Sequence, residues 1–154
     1  MAQTGIVLLG TLRADGWPRI SPIEPLILEG HLIIGGTRGT RKTVDLTRDP
    51  RCVLNTLVTD KDGTEGEVKL VGEAREIDDA EMLARLAEDT FQRYGFRPAP
   101  HTYHSFSMNI SSAAYIVFHG DLTDTILRWR EGESVAKEKR RWTPDGYKTV
   151  RPEK

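Results

Sequence analysis

"GGTRGTRKTVDLTRDPR", Gly35 to Arg51, is the stretch on which the reading of this chain turns. Glycines, hydroxyls and bases come together, a short helix follows, and Asp49-Pro50 ends it. Glycines let backbone N–H groups approach an anion closely. A helix N-terminus adds unpaired N–H groups and the positive end of a dipole. Arginine grips two phosphate oxygens at once, and lysine supplies a point charge. The stretch is therefore either a phosphate socket or an exposed basic turn ahead of a solvated helix. It has neither the GxxxxGK[ST] nor the GxGxxG spacing. Thr40 stands at the N-cap position, with Val44 and Leu46 as the buried side of the helix. Pro50 stops it, because the residue before a proline avoids the α region.

Strands flank this stretch on both sides. Upstream, Ile6 to Leu12 is a short apolar run and Asp15-Gly16 a hairpin signal. Arg19 to Leu28 is a second strand, bent or partly at an edge because Pro22 and Pro25 cannot donate to a ladder. Glu29-Gly30 is the next turn, and His31 to Gly35 the third strand. Downstream come Cys52 to Val58, a polar turn, and Glu67 to Ile77, where Gly72 marks a bulge or a close backbone approach. Asp78 or Asp79 then caps a helix whose apolar stripe is Leu83, Leu86, Ala87, Phe91 and Tyr94, closed by Gly95. Ser105 to Ile110, Ala113 to Phe118 and Thr125 to Arg130 read as three more strands. The inventory is mainly β with minor α: seven or eight mostly antiparallel strands, one short helix and one longer helix. Such hairpin spacing favours a barrel over a doubly wound sheet.

The 154 residues fit one domain. Residues 1–131 read as the barrel, and 132–154 as a charged C-terminal tail, extended or partly disordered. A net charge of −1 gives no general electrostatic case for nucleic acid or an anionic membrane, so any basic site is local. The single cysteine, Cys52, has no internal disulfide partner. No apolar run reaches a membrane span, and a signal-peptide pattern is missing, so a cytoplasmic location is the expectation.

The order of motifs is more specific than any one of them. GTLRADGWPRISPIEP, a Glu-Gly turn, LIIGGTRGTRKTVDLTRDPRCVLNT, EVKLVGEAREID and an amphipathic helix follow one another. This set, over about Ile6 to Asp79, resembles the pyridoxamine 5′-phosphate oxidase-like superfamily, the flavin-binding split β-barrels and their deazaflavin-dependent relatives. ILRWREGE is similar to the tryptophan-containing last strand of many members. The resemblance implies an antiparallel split β-barrel and a homodimer with the cofactor at the subunit interface. The cofactor would be FMN or, alternatively, a deazaflavin coenzyme. The expected function is an oxidoreductase transferring a hydride or electrons to a small molecule; a non-catalytic flavin-binding protein or a cofactor-less dimeric barrel is the other outcome.

Carried over position by position, the resemblance assigns Arg41 and Lys42 to the cofactor phosphate and Thr40 to the hydroxyl of that turn. Gly35 and Gly36 match the strand end along the cofactor. Ser21, Pro22 and Ile23 fall near the residues lining the flavin ring, with Arg19 a phosphate contact. Glu67 and Lys69 lie on the strand where a glutamine is commoner, and Trp129 reaches the partner subunit's cofactor. Members usually carry a helix before the first strand, whereas here the first strand begins almost at once.

Catalytic residues stay unassigned, since no acid–base pair stands out. No metal site is expected: His101 and His104 lack a cysteine or clear carboxylate beside them. Cys52 reads as a small buried residue.

Overall fold

The computed structural model describes residues 5–150. β1 (Val7–Leu12) and β2 (Pro18–Ile23) form a hairpin around Asp15-Gly16, where Gly16 has a φ of 83°. The expected strand from Arg19 to Leu28 is broken at Glu24-Pro25 into β2 and β3 (Leu26–Leu28). β3 turns into β4 (His31–Thr37) through Glu29 and Gly30, with φ of 51° and 81°. Positive φ at both central residues suits the twist of a two-residue hairpin.

Helix α1 (Arg41–Arg48) follows, then β5 (Arg51–Thr56) and β6 (Glu67–Glu76). The buried side of α1 differs from expectation. Leu46 is buried, but Val44 is 52 % exposed, and Thr43 and Asp45 take its place inside. An aspartate can sit there because strands bring it donors.

Helix α2 (Ala80–Tyr94) starts where Asp79 accepts a hydrogen bond from the Met82 N–H at 2.7 Å. It ends at Gly95, in the left-handed region with φ 73°. Its stripe is shallower than expected: Leu86 is buried with Leu26 and Ile33, Leu83 packs against them, and Phe91 and Tyr94 are exposed.

The two expected strands after α2 are one, β7 (Tyr103–His119), of 17 residues. β6 pairs along β7, while its other edge is shared. β4 takes residues 103–107 and β8 (Thr123–Arg130) takes 112–119. A register shift between Val71 and Gly72 sits at this handover, leaving Ser111 as the extra residue on β7. Gly72 is required there, because a Cβ would lie 2.0 Å from the Asn109 carbonyl oxygen. The handover is the split of the split barrel. One branch runs β2-β1-β5-β6-β7-β4-β3, and the chain itself joins β2 to β3. Inside it Val7, Leu9, Ile34, Leu46, Leu54 and Phe106 form the main core.

The second branch continues from β8 into β9 (Ala136–Thr143) and β10 (Gly146–Thr149). The segment read as a charged tail is thus extended as a hairpin up to Thr149, turning at Pro144-Asp145; residues 151–154 lie outside the described residues. It pairs with β8 from Thr123↔Arg141 to Arg128↔Ala136, across the expected boundary at 131. Arg140 binds the buried Asp124 with both ends of its guanidinium, at 3.0 and 2.7 Å, and lies 4.6 Å from the Tyr147 ring centre. Among the described residues no helix is long and apolar enough to cross a membrane.

Candidate functional site

β4 ends in Gly35, Gly36 and Thr37, and the turn at Arg38-Gly39 leads into α1. The Arg38 N–H donates to the Thr102 carbonyl at 2.9 Å, which ties the turn to the start of β7. Thr40 holds the N-cap position, but its hydroxyl donates to the Thr37 carbonyl at 2.8 Å and lies 3.1 Å from the Thr43 hydroxyl. It makes no capping bond to the helix. The first N–H groups of α1 are therefore left uncapped by Thr40, which is the state an anion exploits.

Gly36 lies under the Lys42 side chain. A Cβ there would meet Lys42 Cε at 2.9 Å and Nζ at 3.4 Å. The absence of a side chain at Gly36 leaves room for the lysine to fold back over the strand end. At Gly35 a Cβ would meet the His104 carbonyl oxygen at 2.6 Å and the Tyr103 ring at 2.9 Å. Both glycines are there for close approach, and what approaches is protein as well as any ligand.

A cleft of about 370 Å³ opens here. Pro22, Ile23, Gly35, Gly36, Thr40 and Lys42 all line it, so half of the expected cofactor residues converge. Ile6, Glu24, Thr37 and Tyr103 complete the lining and were missed. Glu24 follows Ile23 directly and was within reach of the motif reading. Tyr103 enters through the β4–β7 pairing, which no local signal announces.

The remaining expected residues sit elsewhere. Arg41 is exposed, outside the cleft lining. Ser21 is half-buried on the face of β2 that also carries Arg19 and Ile23. Arg19 donates through Nε to Asp45 Oδ2 at 2.6 Å. The Thr11 hydroxyl donates to the same oxygen at 2.9 Å, and Arg48 lies 3.9 Å from Oδ1. Burial works against the Asp45 charge, yet these bonds and guanidiniums outweigh it and hold its carboxyl below the usual range. The Arg19–Asp45 pair thereby fixes α1, and with it the turn, against β1 and β2.

Glu67, Lys69 and Trp129 belong to the second half of β7's neighbourhood. Lys69 pairs with Glu67 at 2.8 Å and stands across from Ala114. Trp129 stands across from Ala113, so it is on the opposite sheet face. Ala113 is ten residues along β7 from Tyr103, about 33 Å at strand spacing. None of the three lines the cleft.

One polar cluster went unnoticed in the sequence. His104 Nδ1 bonds the Glu76 carboxylate, and Arg38 reaches His104 Nε2 at 3.1 Å and Glu76 at 3.3 Å. It fastens the basic turn to β6 and β7 without lining the cleft. Cys52 is buried, and burial pushes its thiol up to about 11, so it is no thiolate nucleophile near neutrality. Among the described residues no three His, Cys, Asp or Glu side chains form a metal-binding group.

Comparison with known proteins places the fold. The family model described as pyridoxamine 5′-phosphate oxidase matches residues 1–117. No curated protein matches the chain. Among solved structures, an FMN-binding, pyridoxamine 5′-phosphate oxidase-related protein of Nostoc punctiforme is similar at 10 % identity and a TM-score of 0.66, over 99 % of this chain and 90 % of that one. A Clostridium acetobutylicum protein related to general stress protein 26, of the pyridoxinephosphate oxidase family, is 18 % identical with a TM-score of 0.61, covering 82 % and 86 %. A heme-binding protein of Mycobacterium smegmatis is 13 % identical with a TM-score of 0.60, covering 94 % and 81 %. The chain belongs to the pyridoxamine 5′-phosphate oxidase family and has its split-barrel fold.

Proposed function

We propose that the cleft binds FMN and that the protein is a flavin-dependent oxidoreductase acting on a small molecule. The observation that carries this reading is Lys42 folded over Gly36, beside helix amides that Thr40 leaves uncapped. Lys42 would supply the charge for the phosphate, the α1 amides its hydrogen bonds, and Pro22 and Ile23 the wall for the ring. Arg41, outside the cleft lining, adds its charge from the rim. Bound there, the flavin would supply the hydride or electrons, while the protein supplies orientation and electrostatics.

Heme, which the mycobacterial neighbour binds, is favoured less by this lining. Heme iron takes a His, Cys, Met or Tyr ligand, and among the lining residues Tyr103 alone qualifies. A homodimer, which the family resemblance implies, would let Trp129 reach the cofactor of a second copy.

Titration of purified protein with FMN, followed by absorbance and calorimetry, tests the reading. Binding of FMN is expected, with Lys42→Ala losing about 1.5–3 kcal/mol of affinity and Arg41→Ala losing less. Unchanged affinity in Lys42→Ala overturns the phosphate assignment. Binding of a deazaflavin coenzyme in place of FMN selects that alternative, and binding of neither leaves the cofactor-less barrel.

A further inference from the structure

A second cavity opens beside the cleft, between α2 and the strands β3, β4 and β7. Its volume is about 90 Å³. Glu24, Gly35 and Tyr103 line both spaces and form the wall between them. One side of the cavity is apolar, formed by Leu26, Ile33, Leu83, Leu86 and Ala87. Polar residues line it as well: Glu24, Thr90 and Tyr94 of α2, and Tyr103 and Ser105 of β7. Of these, Glu24 is exposed at the cavity's edge, and Tyr103 and Ser105 are half-buried. No lysine, arginine or histidine lines the cavity. Burial and the neighbouring Glu24 push the Tyr103 hydroxyl upward, so it stays protonated at neutral pH.

We propose that this cavity binds the alkylammonium end of a small molecule, with a short branched aliphatic body against α2 and the ammonium facing Glu24, Tyr103 and Ser105. Size fixes the body. An apolar cavity of about 150 Å³ holds one benzene, so this one has room for about three or four carbons. Charge fixes the head. An ammonium has three donors and no acceptor, and the Glu24 carboxylate with the hydroxyl oxygens of Tyr103 and Ser105 can accept from it. A carboxylate head would face Glu24 and be repelled. Occupancy here does not depend on the cofactor, so either assignment can fail alone.

Isobutylammonium chloride titrated into the ¹⁵N-labelled full chain, with and without FMN, provides the test. Amide shifts are expected at Leu83 to Thr90 and Tyr103 to Ser105, and none with isobutyrate. Ala87→Leu fills the cavity and is expected to abolish them. Glu24→Gln, at an exposed position, is expected to weaken binding about two- to fivefold at low salt. Equal binding of isobutyrate, shifts scattered over the surface, or unchanged affinity in Glu24→Gln each overturns the proposal. Should Ala87→Leu unfold, the charge comparison and Glu24→Gln decide alone.

Discussion

The molecule holds two buried aspartates, each paired with an arginine from another element, and they are built differently. Asp45, its side chain 7 % exposed, is served by Arg19, Thr11 and, at longer range, Arg48. Asp124, 2 % exposed, is served by the two bonds from the single guanidinium of Arg140. The first pair draws on β1, β2 and α1 and fixes the end of the barrel that carries the basic turn. The second clamps one hairpin to one strand. Shared donors make the first tolerant of a single loss, whereas the second has no reserve. A buried charge left without its partner is the costly case.

Arg140→Ala is therefore expected to cost the most, about 3 kcal/mol in urea unfolding. A loss as small as that of an exposed ion pair would show that Asp124 recruits water once the hairpin loosens. Gly72→Ala probes the junction between the two regions. Its Cβ would fall 2.0 Å from the Asn109 carbonyl oxygen, so backbone must shift, at about 2 kcal/mol. If the bulge moves along β7 instead, the loss will be small. Arg19→Ala is expected to cost less, about 1.5 kcal/mol, because Thr11 and Arg48 remain. A loss equal to that of Arg140→Ala would erase the distinction between shared and single donors.

The smallest effect is in acid. The folded carboxyl of Asp45 lies below its ordinary value of 3.8. Its contribution is thus complete above 3.8 and is lost as pH falls from there through the lower folded value. Unfolding free energies measured from about pH 5 to about pH 3 should fall less steeply in Asp45→Asn than in the wild type. Parallel profiles would mean that the pair is not what holds this carboxyl ionised.

What the sequence made legible follows the same division between local and distant causes. The turns at Asp15-Gly16 and Glu29-Gly30, the caps at Asp79 and Gly95 and the irregularity at Gly72 are written in neighbouring residues, and they appear where expected. Six cleft residues were legible because they lie on the motif stretches themselves. Asp45 was not read as buried, since its donors are 26 and 34 residues away. Ser111 and Ser112 fell between two expected strands, whereas in the sheet Ser111 is the bulge, its hydroxyl donating to the Val71 carbonyl at 3.2 Å. The β9–β10 hairpin lacked an apolar pattern because an outer strand stays exposed and Arg140 carries its main anchor. Tyr103 and the Arg38–Glu76–His104 cluster depend on pairings of β7 with β4 and β6, which only the tertiary fold creates.

β7 has a consequence for how the molecule opens. Its backbone pairs with β6 on one side and with β4 or β8 on the other, so none of these three strands can separate without exposing it. Hydrogen exchange should accordingly be slowest in β7 and should require global unfolding there. β8, which carries the charged hairpin, then belongs to the same folding unit as the barrel, although the sequence there looks like an appendage.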